Sequence, residues 1–101
     1  MITENQKEEI LARAINTWGN VAQIEMLNEE STELALATRK YLRNPNGDTR
    51  KQVNSEIADV LILIRQWEMM HPGAIEEIQD ESYFKMDMLN RSRDKKDFEA
   101  I

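Results

Sequence analysis

Apolar residues recur at helical spacing through four stretches of the chain, and the chain-breaking residues between them fall into three short groups. The first helix is predicted to start after Thr3, because Gln6 stands three residues on in the capping-box spacing and Ile10, Leu11, Ala14 and Ile15 follow on one stripe. Trp18-Gly19-Asn20 interrupts it, glycine being the usual helix-ending residue. A second helix is predicted from about Val21 to Leu42 and closes at Arg43-Asn44-Pro45-Asn46-Gly47-Asp48. There Pro45 drives the residue before it out of the α region, and Asn46-Gly47 is expected to supply a positive φ. A third helix, about Thr49 to Met69, holds Ile57 to Ile64, a run apolar on nearly every side in which Asp59 is the one charged residue, so it is expected to be the central and most buried element. His71-Pro72-Gly73 stops it, and a fourth helix runs from about Ala74 until its periodicity fades in the mixed-charge tail from Arg91 to Asp97.

Three glycines, two prolines and a predominance of Ala, Leu, Ile, Glu, Lys and Met leave little punctuation for strands. The fold class expected is all-α: a helical hairpin with flanking helices, four-helix-bundle-like, forming a single domain over residues 1–101 with 94–101 a frayed tail. Four helices in 101 residues cannot cover the third on every side, so oligomerisation, as a homodimer or a dimer of dimers, is expected to complete the bundle.

Charge narrows the partners. Thirteen Lys and Arg against 19 Asp and Glu give a net charge of −6, a field that repels polyanions and argues against nucleic-acid polymer. No stretch is apolar over the length of a spanning helix, and MITENQKEEI lacks the pattern of a signal or transit segment, so no membrane partner and a cytoplasmic location are expected. The absence of cysteine fits a reducing compartment and leaves carboxylates, amides and one histidine as possible metal ligands.

Candidate chemistry sits on the second and third helices. Glu30 and Glu33 are three apart and share a helix face with Met26, Leu27, Leu34 and Ala37; Glu56 and Asp59 repeat the spacing among Val53, Val60 and Leu63. A short connection makes the two helices antiparallel neighbours, which can bring both pairs to one level. Crowded, partly buried carboxylates either take up protons or bind a cation, and all-oxygen ligation selects hard ions, magnesium first and manganese next. Helices rich in glutamate produce single pairs of this kind by chance; two pairs on consecutive helices, each among apolar neighbours, are harder to attribute to it.

The run Glu29-Glu30-Ser31-Thr32-Glu33-Leu34, followed after a loop by Glu56-Ile57-Ala58-Asp59-Val60-Leu61, resembles the paired ExxE and ExxD signature of the MazG-like all-α nucleoside triphosphate pyrophosphohydrolases. Ala14-Ile15-Asn16-Thr17-Trp18-Gly19 with Ala22-Gln23-Ile24-Glu25-Met26 is similar to the entry segment of the small phage-associated and bacterial members. Lys85-Met86-Asp87-Met88-Leu89-Asn90-Arg91 resembles their closing helix, except that Met88 stands where a basic residue is expected. The resemblance covers about Ala14 to Arg93 and implies cleavage of a nucleoside triphosphate between its α and β phosphorus atoms, giving nucleoside monophosphate and pyrophosphate. It implies magnesium held by Glu30, Glu33, Glu56 and Asp59; a carboxylate of this quartet is expected to position or deprotonate the attacking water, and Glu30 is singled out by its central placement alone. The phosphoribosyl-ATP pyrophosphohydrolases share part of the motif and are an alternative within enzymes; outside them stands a non-catalytic helical interaction module.

Other candidates each have a plainer reading. Lys85, Arg91 and Arg93 are candidates for phosphate contact, or form a solvated helix face. Trp18 and Trp67 are candidates for stacking a base, or pack against neighbours. Gln23 and Asn28 are candidates for hydrogen bonds to a base or ribose, His71 reads as a helix-end cap, and the methionines read as core or interface filler.

Overall fold

The computed structural model describes residues 1–91, all of its regular structure being helical: α1, Glu4–Trp18; α2, Asn20–Arg43; α3, Gly47–Met70; and α4, Ala74–Arg91. Arg93 and the tail 94–101 lie outside the described residues. The chain divides into two compact units, Met1–Met70 and the segment from His71 onward. Among the described residues no helix is long and apolar enough to cross a membrane.

The helix ends follow from particular side chains. Thr3 caps α1 reciprocally: the Gln6 amide donates to the Thr3 hydroxyl at 3.2 Å, and the Thr3 amide donates to Gln6 Oε1 at 2.8 Å. Gly19, at φ 90°, ends α1 and immediately precedes α2, a backbone conformation that a Cβ makes costly. Gly73, at φ 89°, plays the corresponding part before α4.

The connection between α2 and α3 corrects one expectation. Gly47 has no positive φ; it is the first residue of α3, and Asn46 caps it. The Thr49 amide donates to Asn46 Oδ1 at 2.9 Å, and the Asn46 amide donates to the Thr49 hydroxyl at 3.1 Å, so a reciprocal cap satisfies the free helix-start amides where an Asn-Gly turn would leave them exposed. The buried Thr49 hydroxyl also donates to the Asn44 carbonyl at 2.9 Å, tying the loop to the helix that follows it. Only Asn44, Pro45 and Asn46 separate α2 from α3, so the helices return against each other as an antiparallel hairpin.

Ala37 on α2 and Leu63 on α3 are the buried apolar side chains of this unit, accompanied by the buried Gln23, Thr49 and Gln66. Helix α1 joins α3 through two polar ties: Gln66 Nε2 donates to the Leu11 carbonyl at 3.3 Å, and Arg65 Nε donates to Glu8 Oε1 at 3.0 Å. The expectation that α3 is the most buried element holds for only one side of it. It contributes Thr49, Leu63 and Gln66 to the interior, yet Ile57, Leu61 and Ile62 are 40%, 59% and 49% exposed, because α1 and α2 cover one side of a helix that is apolar all round.

Candidate metal centre

Glu30 faces α3 because it stands seven residues, two turns, before Ala37 on the face of α2 that packs inward. Glu56 and Asp59 face α2 because they stand seven and four residues before the buried Leu63. One carboxylate oxygen from each of Glu30, Glu56 and Asp59 lies within 4.8 Å of the other two, and all three side chains are half-buried. Oxygens on opposite sides of one hard cation are about 4 to 5 Å apart, twice a metal–oxygen distance of roughly 2.1 to 2.6 Å, so the spacing suits a shared ion.

The electrostatics express the same crowding. Partial burial pushes the Glu30 carboxyl above its ordinary range, and the neighbouring charges of Asp59 and then Glu56 push it further in the same direction. Glu56 Oε2 is buried and has no hydrogen-bond partner among the described residues. A carboxylate oxygen in that state is stabilised by a proton or a cation, and the donor set is all oxygen, so the residues fit a hard divalent ion such as magnesium.

Three of the four carboxylates singled out from the sequence therefore converge. Glu33 stands beside them, exposed, and lines a surface depression together with Glu56. Of the proposed nucleotide contacts, Gln23 is buried on α2 two turns before Glu30; Asn28 is exposed, its carbonyl accepting from the Thr32 hydroxyl at 3.0 Å; and Trp18 is 66% exposed at the end of α1. Lys85 and Arg91 belong to the unit that begins at His71, where the Arg91 guanidinium donates to Asp87 Oδ2 at 2.8 Å.

Lys40 and Gln52 were not legible as site residues from charge or motif, yet both line the depression that Glu33 and Glu56 share. The signal available was helical spacing, since Lys40 is seven residues after Glu33 and Gln52 four before Glu56.

Compared with known proteins, the chain matches no family model, no curated protein and no solved structure.

Proposed function

We propose that the protein is a magnesium-dependent nucleotide pyrophosphohydrolase, converting a nucleoside triphosphate to nucleoside monophosphate and pyrophosphate. The observation that carries this reading is the convergence of Glu30, Glu56 and Asp59 across the α2–α3 hairpin, at the positions where the sequence resembles the MazG-like signature. Bound magnesium supplies neutralisation of the triphosphate and Lewis-acid polarisation of its phosphoryl oxygens.

The chain's own residues supply the rest. Glu30 from α2 and Glu56 and Asp59 from α3 would hold the cation, with Glu33, which shares a depression with Glu56, as a further ligand. Glu30 orients the attacking water and accepts its proton as the water oxygen bonds to the α phosphorus. The bond from that phosphorus to the bridging oxygen breaks, and the electron pair leaves with pyrophosphate. Trp18, Gln23 and Asn28 are the candidates for the nucleoside, and Lys85 and Arg91 for the phosphates.

The same reading includes self-association, as a homodimer or a dimer of dimers that covers the exposed Ile57, Leu61 and Ile62 of α3. Pyrophosphate release from a panel of ribo- and deoxynucleoside triphosphates and phosphoribosyl-ATP, in magnesium and in chelator, tests the activity. Magnesium-dependent release from at least one nucleotide is expected. Absence of release from every member, with magnesium bound, would instead favour a non-catalytic helical module.

A further inference from the structure

Two adjoining depressions run along the α2–α3 hairpin from the carboxylates toward the loop. The nearer, about 190 Å³, is lined by Glu33, Leu36, Ala37, Lys40, Gln52 and Glu56; the farther, about 360 Å³, shares Lys40 and Gln52 and adds Asp48, Thr49, Lys51 and Ser55. Small-molecule sites usually occupy roughly 300 to 1,000 Å³, so the nearer depression is too small for a nucleoside and of a size for a phosphate group.

Lys40 is the cation that lines the depression beside Glu33 and Glu56. Like Arg13, Arg39, Arg43, Arg50 and Lys51, it forms no ion pair among the described residues, although Glu33 and Glu56 line the same depression. An ammonium group beside a carboxylate cluster, with its three donors uncommitted, is suited to anionic oxygens that a cation at the cluster leaves uncoordinated.

We propose that Lys40, with Gln52 beside it, is a phosphate-binding residue that holds the part of the substrate released as pyrophosphate. The proposal rests on the cation-site reading above. As the bond between the α phosphorus and the bridging oxygen breaks, the electron pair stays on that oxygen, and the Lys40 ammonium faces the charge that pyrophosphate gains while the proton of the attacking water passes to Glu30. The competing role for Lys40 is structural: a positive charge that offsets repulsion between Glu33 and Glu56 and touches no substrate.

The two roles differ in sign. Removing a positive charge beside carboxylates leaves magnesium affinity unchanged or tightens it, while removing a phosphate ligand weakens phosphate binding. Calorimetric titration of parent, Lys40→Gln and Lys40→Arg, first with magnesium chloride and then with methylenediphosphonate in saturating magnesium, separates them. Lys40→Gln is expected to bind magnesium at least as tightly as the parent and the diphosphonate roughly tenfold or more weakly, with Lys40→Arg recovering most of the loss. Diphosphonate affinity unchanged by Lys40→Gln, or falling in step with magnesium affinity, would overturn the assignment. If the parent binds magnesium and releases pyrophosphate from nucleotides, that result removes Lys40 alone; if the parent binds no magnesium, the cation site and the Lys40 assignment fall together.

Discussion

At Gln66 the third helix buries an amide almost completely, and two to three turns earlier, at Asp59 and Glu56, it carries two carboxylates that stay half-buried. The neutral amide sits 3% exposed and donates to the Leu11 carbonyl, a bond that fastens α1 to the hairpin and partly offsets its desolvation, while its Oε1, like Glu56 Oε2, has no hydrogen-bond partner among the described residues. The carboxylates are acceptors only when ionised and have nothing to donate to one another, so Glu30 on the facing helix is pushed toward its neutral form and Glu56 Oε2 goes without a partner. Each level thus leaves one buried oxygen without a partner, and what separates them is charge: the amide is neutral and bonded across to α1, whereas the carboxylates crowd one another. The amide level closes the structure, and the carboxylate level calls for a ligand.

The largest expected effect breaks the carboxylate level alone. Glu30→Gln and Asp59→Asn keep shape and remove charge, so each should lower the rate of pyrophosphate release at least about a hundredfold while leaving the helical content of the purified protein unchanged. Unchanged turnover in both variants would mean that the carboxylates do no chemistry.

The next effect breaks the amide level. Gln66→Ala removes the donor to Leu11, which should cost about 1 to 3 kcal/mol and lower the melting temperature by several degrees or more. Because Gln66 is two turns, about 10 Å, from Asp59, the rise in melting temperature produced by magnesium should survive that substitution. A Gln66→Ala protein that melts with the parent, or one that loses its magnesium response, would erase the distinction between the two levels.

The smallest effect is one of pH. The carboxyl of Glu30 titrates above its ordinary value in the folded chain, so it contributes stability that is fully present below that ordinary value and is lost as the pH rises through the raised one. In chelator, Glu30→Gln should therefore melt above the parent at neutral pH, with the gap closing as the solution is acidified. A gap that stays constant with pH would show that repulsion at Glu30 is not its source.

Local signals account for how much of this was legible in sequence. The Thr3–Gln6 cap, the breaks at Gly19 and Gly73 and the antiparallel hairpin each depend on a few neighbouring residues, and the structure reproduces them. Spacing on one face of each helix likewise brought Glu30, Glu56 and Asp59 into view as a group. The start of α3 departs from the expected turn because Asn46 belongs to two patterns at once, an Asn-Gly turn and an Asn-x-x-Thr cap, and the reciprocal bonds with Thr49 decide for the cap. Gln66 and Lys40 escaped notice for a different reason. An isolated amide or lysine on a helix acquires meaning only from what lies across from it, here the Leu11 carbonyl and the depression beside Glu33 and Glu56.

Melting curves for the parent and Asp59→Asn, each in chelator, in magnesium chloride and in sodium chloride of matched ionic strength, test the central claim most directly. If the carboxylates converge into a cation site in the folded chain and disperse in the unfolded one, magnesium at a hundred times its dissociation constant stabilises the parent by about 2.7 kcal/mol, a rise on the order of ten degrees or more. Asp59→Asn should melt above the parent in chelator, because it relieves repulsion, and should lose most of the magnesium response, because it removes a ligand. Sodium chloride screens the net charge, −6 in the parent and one less negative in Asp59→Asn, to nearly the same extent and should reproduce neither difference. A parent that gains no more from magnesium than from sodium would contradict the cation site, and the proposed chemistry with it.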